Sequence, residues 1–195
     1  MTYINPSNTA IQTIGIDKTI TELQTALGQL SWLTKCFHRA YRHYELSALN
    51  SKKTLTIPKT WEAGNEWYNN LPNDNLAATA FFYPTGDEQV EQFDPHVAPD
   101  FQQEIALIVW LNTDKLTGHT TGPSLAQEKA DVLSILSNND LVIGIDSIID
   151  RSAEDIFDPF SIDDVNNHYT MLPFAGFRVN FTVKFDYTIC LSPSS

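Results

Sequence analysis

The longest regular pattern in the chain is an alternation of apolar and polar residues that begins at Phe177 and ends at Ile189. The apolar positions are Phe177, Val179, Phe181, Val183, Phe185, Tyr187 and Ile189. Because successive side chains of a strand point to opposite faces of a sheet, the pattern predicts one long strand with a single buried face. Such a strand is about 40 Å long, so we expect it to extend past its own domain or to bridge to a neighbouring molecule.

Two other segments have apolar residues at helical spacing. The apolar positions are Ile16, Ile20, Leu23 and Leu27 in the first segment, and Leu125, Val132, Leu133 and Leu136 in the second. Residues three and four apart share one face of a helix, so each segment is predicted to be an amphipathic helix. The first helix is expected to end at Gly28, and the second to begin at Pro123-Ser124 and to end at Asn138-Asn139.

The remaining apolar runs favour strands. The stretch Ile105–Leu111 has no polar break, which is typical of a central strand covered on both faces. Residues 30–46 fit either a helix or a strand, and their aromatic and β-branched residues favour a strand. Strict alternation would then place Phe37, Arg39 and Tyr41 on one side. Further strands are predicted at 52–58, 76–83 and 141–149.

These elements predict an α+β fold, with a mainly antiparallel sheet, two helices packed on one face, a long alternating C-terminal strand and extended loops. We expect one domain over residues 1–195. Residues 84–101 contain three prolines and five acidic residues, so they are predicted to form an exposed arm. Residues 150–170 are predicted to form an irregular acidic loop with a turn at Asp158-Pro159.

Composition and charge narrow the classes of function. Hydrophobic residues make up 42 % of the 195 residues and charged residues 18 %, and the net charge is −12. Residues 1–60 carry seven Lys or Arg and three Asp or Glu, whereas residues 61–195 carry five and 21. An acidic chain is a poor binder of nucleic acid. The acidic part is interpreted either as a solvated surface, as a contact between copies, or as a wall past which DNA slides.

The two cysteines and the N-terminal residues indicate the cellular compartment that we expect for the protein. Cys36 and Cys190 lie far apart in apolar segments, which is typical of buried free thiols. The start at Met1 lacks a basic region followed by an apolar stretch, so no signal peptide is expected. The longest apolar run is too short to span a membrane. We therefore expect a soluble cytosolic product with no membrane partner.

No pattern in the sequence indicates an active site. The eight glycines form no phosphate-binding loop, the histidines lack metal-ligand spacing, and the acidic residues of 150–170 lack the order of a calcium loop. We therefore predict no catalytic, cofactor-binding or metal-binding residues, and no enzyme. An enzyme would require several of Asp94, His96, Asp150 and His168 to converge in a pocket.

Aromatic residues supply the candidate interface. Trp61, Trp67 and Tyr68 fall in a loop-like stretch, 60–71, where they either pack under the edge of the domain or anchor a contact with another protein. The apolar turn 171–177 is interpreted either as part of the core or as a contact with the next subunit. The full set of candidate interface residues is Trp61, Trp67, Tyr68, Phe93, Phe157, Phe160 and Phe174.

The order of elements resembles that of tail-terminator and neck-ring, or tail-completion, proteins of tailed phages. The segments that carry the resemblance are Ile16–Gly28, Gln102–Asn112, Ser124–Leu136 and Pro173–Ile189, together with Leu71-Pro72-Asn73-Asp74, Ala80-Phe81-Phe82-Tyr83 and Leu172–Arg178. The resemblance covers most of the chain and depends on element order and loose patterns. The arm 84–101 and the acidic insert 150–170 exceed a minimal terminator domain.

The resemblance implies a structural subunit of the virion, made in the cytoplasm of the bacterial host. Such a subunit forms a homo-oligomeric ring, commonly six-fold or twelve-fold, at the head–tail connector or the tail terminus. It contacts other connector or tail proteins, and DNA passes through its lumen without specific binding. The alternative is a soluble adaptor or ligand-binding module that uses the aromatics Trp61, Trp67 and Tyr68.

Overall fold

The protein is described by a computed structural model that covers residues 14–62, 66–94, 97–116 and 125–187. Within these residues the fold is α+β, with an eight-stranded sheet and three helices. Every pair of neighbouring strands is antiparallel except one, which is parallel. The predicted class and the mainly antiparallel sheet are therefore confirmed.

The elements follow the apolar patterns closely. The helices are α1 (Gly15–Leu27), α2 (Ala126–Ser137) and α3 (Ala153–Phe157). The strands are β1 (Lys35–Leu46), β2 (Thr54–Glu62), β3 (Glu66–Asn69), β4 (Ala78–Pro84), β5 (Gln89–Asp94), β6 (Val97–Asn112), β7 (Val142–Ile149) and β8 (Phe174–Asp186). Short 3₁₀ turns occupy Thr113–Lys115 and Asn167–Thr170.

The long C-terminal strand is paired within its own chain. The sheet order is β3-β2-β1-β4-β6-β8-β7. Strand β5 pairs with the first part of β6, on the same edge of β6 that pairs with β4 further along. Strand β8 pairs with β6 from Phe174 opposite Asn112 to Asp186 opposite Asp100. On its other edge β8 pairs with β7 over residues 178–183. The expectation that this strand extends past its own domain or bridges to a neighbour stays a prediction.

Two apolar clusters lie on opposite faces of the sheet. Ile20 of α1, Leu136 of α2 and the alternate β6 residues from Ile105 to Leu111 belong to the first cluster. Ile108 and Trp110 of β6 belong to the second cluster, with α3. No residue of Ile105–Leu111 is more than 6 % exposed, as expected for a strand that is covered on both faces.

Strand β1 departs from simple alternation. Its parallel pairing with β4 shifts register between Cys36 and Arg39, so one extra residue is accommodated there. Cys36 belongs to the first cluster, whereas Phe37 and Ala40 both belong to the second. The bulge therefore turns His38 and Arg39 together towards α1. The predicted side for Arg39, with Phe37, is wrong for this reason.

The segments predicted as irregular are more ordered than expected. Residues 84–101 include β5 and the first part of β6, which form an antiparallel hairpin. Residues 150–170 include α3 and a 3₁₀ turn, and Ile156 and Phe157 are 2 % and 0 % exposed. Apolar side chains at intervals in this acidic segment bind it to the second cluster.

Candidate interaction surface

The stretch that the sequence predicts as a loop is a β-hairpin that carries aromatic side chains. Trp61 of β2 lies opposite Trp67 of β3 in register, and their ring centroids are 5.0 Å apart. The Trp67 ring also contacts Tyr41 and His43 of β1, at 5.7 Å and 4.2 Å between centroids. We call Tyr41, His43, Trp61 and Trp67 the aromatic face.

Strand register explains why these four residues meet. In an antiparallel pair, residues directly opposite each other point to the same face. Tyr41 lies opposite Lys59 and His43 opposite Ile57, so after the bulge the odd-numbered residues of β1 share one face with the odd-numbered residues of β2. Trp67 is 42 % exposed. The contribution of β1 was missed in the sequence, although Tyr41 and His43 already alternate there.

Tyr68 lies on the opposite face of the same hairpin. Its ring stacks on Phe37 with 4.6 Å between centroids, and the Lys35 ammonium lies 4.6 Å from its ring centre. Phe37 belongs to the second apolar cluster, and Tyr68 packs against that cluster. The sequence therefore grouped Tyr68 with the two tryptophans incorrectly, because neighbouring strand residues point to opposite faces.

Charged groups surround the aromatic face. The Arg39 guanidinium lies 5.1 Å from the Tyr41 ring centre, a distance at which a cation is attracted by an aromatic ring. Lys59 forms an ion pair with Glu45. The pKa of His43 is lowered below its ordinary value, mainly by partial burial and secondly by the nearby Lys59 charge. The imidazole is therefore an uncharged part of this face at neutral pH.

A buried polar cluster lies beside the aromatic face. His38 Nε2 lies 3.1 Å from the Asp17 carbonyl oxygen and 3.2 Å from Thr21 Oγ1. Arg39 lies 3.6 Å from the Asp17 carboxylate. Burial is the main reason that the pKa of His38 is lowered. Because His38 is only 4 % exposed, this cluster links α1 to the bulge of β1 and offers no open site for a substrate.

The lowered pKa of His38 predicts a pH-dependent stability. Its folded-state pKa lies below the unfolded value of about 6.5, so the unfolded chain binds the proton first as the pH falls. Stability is therefore lost below about pH 6.5, with a slope of up to about 1.4 kcal/mol per pH unit. We expect His38→Gln to make the fall in unfolding free energy between pH 7 and pH 5 shallower, as measured by urea denaturation.

An exposed histidine supplies the control for this experiment. His168 is exposed in the turn Asn167–Thr170, so His168→Gln should leave the slope close to that of the unchanged chain. Equal slopes for His38→Gln and the unchanged chain would contradict the assignment of the effect to His38.

Three of the predicted interface residues are core residues. Phe157, Phe160 and Phe174 are 0 %, 5 % and 4 % exposed and belong to the second apolar cluster. Phe157 contacts Trp110 at 5.3 Å between ring centroids. These three phenylalanines are therefore corrected from interface anchors to core. Phe93 lies outside the residues whose side chains are described.

Two exposed apolar patches lie outside the aromatic face, and the sequence singled out only the second of them, as part of the turn 171–177. The first is at the tip of the β1–β2 hairpin, where Tyr44, Leu46 and Leu49 are 69 %, 68 % and 81 % exposed. The second is the turn before β8, where Met171 and Leu172 are 63 % and 65 % exposed. We call them the hairpin tip and the β8 turn. Local sequence offers no signal that separates such residues from core residues, because burial depends on neighbours from elsewhere in the chain.

The acidic segment is tied to the β1–β2 hairpin. Ser47 Oγ and the Ala48 amide donate to the two Asp164 oxygens, each at 2.6 Å, and Lys53 pairs with Asp163 at 2.9 Å. At the other end of the segment, the buried Arg178 guanidinium donates to the Asp158 carbonyl oxygen. Burial lowers the pKa of Arg178. These contacts fix the position of the segment against the sheet.

The residues considered for catalysis do not form a recognisable site in the described part of the chain. Asp150 pairs with Lys129, whereas His168 contacts Tyr169 and Phe174 at 5.6 Å and 5.7 Å between ring centroids. His96 is outside the described residues, as is the Asp94 side chain. Among the residues with described positions, no group of three or more His, Cys, Asp or Glu could hold a metal ion.

Of the two cysteines, Cys36 lies in the described part of the chain. Cys36 is a free, buried thiol, as predicted, and burial raises its pKa, which makes it unreactive. Cys190 lies outside the described residues. Within the part of the chain that is described, no helix has the length and apolar character needed to cross a membrane.

Comparison with known proteins gave no relatives. No family model matches the chain, and no curated protein and no solved structure is significantly similar to it.

Proposed function

We propose that the chain is a non-enzymatic structural subunit of a tailed-phage particle or a related tail-like machine. In this proposal it forms a ring, six-fold or twelve-fold, at the head–tail connector or at the tail terminus. Other connector or tail proteins flank the ring, and DNA passes through its lumen without specific binding. The subunit is made in the bacterial cytoplasm and ends in the virion.

The observation that carries this proposal is a pair of exposed apolar patches at opposite ends of β1. At the start of β1, Lys35 pairs with Thr79 of β4. Thr79 pairs with Trp110 of β6, and Trp110 pairs with Gly176 of β8. The start of β1 is therefore at the same end of the sheet as the β8 turn. The hairpin tip is at the far end of the twelve-residue β1.

The β8 turn borders a groove whose lining is part apolar and part polar, with the charged residues Lys129, Asp150 and Arg151 among its members. The groove has a volume of about 250 Å³, and Trp110, Leu125, Ile156 and Phe174 contribute to its lining. A leucine from the hairpin tip of another copy would bury apolar surface there, at about 25 cal/mol per Å². The exposed Lys52 at the tip would approach a segment rich in acidic residues, which supports the orientation.

Two different patches that meet between copies make a head-to-tail contact. A contact of this kind closes into a ring when the rotation between copies allows it. In this proposal α1 and α2 cover one face of the sheet and leave both patches available at its ends. The net charge of −12 supports a lumen that repels DNA.

We expect a charge at the hairpin tip to dissociate the ring. Leu49 is 81 % exposed, so Leu49→Asp should leave the fold intact but remove the apolar side chain that would bury surface in the groove, and replace it with a carboxylate that loses its hydration there. The apparent dissociation constant should rise at least about tenfold, since anchor residues contribute about 2 kcal/mol or more. Size-exclusion chromatography with light scattering measures the change, and electron microscopy of the purified chain shows whether rings form.

Ile143→Asp is the matched control, because Ile143 is an exposed apolar residue of β7, away from both patches. It should leave the ring intact. A chain that stays monomeric at all concentrations, and is missing from purified particles, would contradict the structural role.

The aromatic face favours a second function, a soluble adaptor or ligand-binding module. Clustered tryptophan and tyrosine side chains are enriched at protein interfaces, and Trp67 is 42 % exposed. A monomer that binds a partner through Trp67, and joins no particle, would favour this second function over the first.

A further inference from the structure

A groove on the second-cluster side of the fold differs in chemistry from the rest of the surface. It has a volume of about 500 Å³ and lies between the segments 68–75 and 164–169. The residues that line it are Tyr68, Asn69, Leu71, Pro72, Asn73, Asn75, Asp164, Val165, Asn166 and Tyr169. This volume is within the range of about 300–1,000 Å³ that is typical of small-molecule sites.

Main-chain hydrogen bonds fix three asparagine side chains around the groove. Asn69 Oδ1 accepts from the Leu71 amide at 2.9 Å, Asn73 Oδ1 from the Asn75 amide at 2.9 Å, and Asn166 Oδ1 from the His168 amide at 3.0 Å. A main-chain amide can only donate, so the bonded atom of each side chain is its oxygen. The planar NH₂ groups of Asn69 and Asn166 are therefore held in place as donors at the exposed rim.

The groove carries a single negative charge, although the chain is strongly acidic. Asp164 is the one carboxylate in its lining, and both of its oxygens accept hydrogen bonds, from Ser47 Oγ and the Ala48 amide. One carboxylate alone is too few for a cation site, since calcium takes about six to eight oxygen ligands. An anionic ligand would be repelled by a chain of net charge −12.

The remaining lining offers aromatic and apolar surface. Tyr68 and Tyr169 are half-buried and supply rings with hydroxyl groups, and Leu71 and Val165 supply apolar contact. Tyr68, Leu71 and Tyr169 also pack against the second cluster, so the walls rest on the core. A ligand that suits this groove has many hydroxyl groups, apolar C–H faces and no charge.

We propose that this groove binds a neutral oligosaccharide. Sugar hydroxyls both donate and accept hydrogen bonds, so they can bind to the asparagine NH₂ groups and the tyrosine hydroxyls, while the C–H faces of the sugar ring pack on the apolar lining. The groove shares no residue with the hairpin tip or the β8 turn. The inference is therefore independent of the proposed ring.

The test uses the full chain and defined sugars. Maltohexaose, cellohexaose and chitohexaose are the neutral probes, hexagalacturonate is the charged comparator, and binding is measured by isothermal titration calorimetry and saturation-transfer NMR. We expect at least one neutral probe to bind and hexagalacturonate to bind at least tenfold more weakly. In Asn166→Asp and Asn69→Asp the oxygen that accepts the main-chain bond is kept and the NH₂ donor is lost, so binding should weaken about tenfold.

Asn50→Asp supplies a matched control. Asn50 Oδ1 accepts from the Lys52 amide at 3.1 Å, in the same kind of turn but outside the groove, so its substitution adds the same charge and should leave binding unchanged. Three results would overturn the proposal: no binding of any neutral probe, equal weakening in Asn50→Asp, or equal binding of hexagalacturonate. Leu49→Asp, which addresses the ring, should bind the sugar like the unchanged chain.

Discussion

Replacing Phe157 by alanine is expected to lower the free energy of unfolding by about 3–5 kcal/mol. Phe157 is fully buried, and its ring contacts Phe81 and Trp110 at 6.1 Å and 5.3 Å between centroids. Truncation removes that apolar contact and leaves a cavity between α3 and the sheet. Urea denaturation followed by tryptophan fluorescence and circular dichroism measures the loss.

An exposed apolar residue near the same segment supplies the comparison. Leu172 is 65 % exposed, so Leu172→Ala should change the unfolding free energy by less than about 0.5 kcal/mol. If Phe157→Ala were as stable as Leu172→Ala, Phe157 would not be a core residue. Its original interpretation as an interface residue would then be favoured again.

The second large effect is expected at Gly176. A Cβ atom at this position would lie 2.3 Å from the Val109 carbonyl oxygen and 2.3 Å from Trp110 Cε3. Real Cβ atoms do not approach backbone this closely, so β8 must move away from β6 in Gly176→Ala. We expect a loss of about 3 kcal/mol, at the upper end of the range for overpacking, as measured by thermal and urea denaturation.

Gly144→Ala is the matched control. Gly144 lies in the edge strand β7, and its added Cβ would meet only Asp146 Oδ1, at 4.0 Å. Since alanine lowers the entropy of the unfolded chain relative to glycine, this substitution should be neutral or slightly stabilising. A Gly176→Ala chain with the stability of Gly144→Ala would show that the sheet relaxes easily around this position.

The sequence does not indicate that Phe157 and Gly176 are packed against distant segments of the chain. Phe157 is in an acidic stretch that reads as a solvated loop, and Gly176 precedes the alternating pattern without disturbing it. Both matter because a distant segment lies against them: the sheet residues Phe81 and Trp110 in the first case and the β6 backbone in the second. No local pattern encodes contacts of this kind.

The candidate surfaces likewise depend in part on local sequence and in part on contacts between distant segments. The sequence singled out Trp61 and Trp67 as residues that either pack under the edge of the domain or anchor an interface, but it placed them in a loop. The register of three strands brings Tyr41 and His43 beside them and turns Tyr68 to the other face. The groove between the segments 68–75 and 164–169 was not predicted, because its two walls are about ninety residues apart in the chain.

The sequence by itself determined the elements whose pattern is local and regular. The spacing of Ile16, Ile20 and Leu23 determined α1, and the alternation after Phe177 determined β8, because period and secondary structure are linked by backbone geometry. Tertiary structure decided which residues are turned inward. The bulge between Cys36 and Arg39 reverses the expected side of β1 residues, since one extra residue in a strand changes the direction of every side chain that follows.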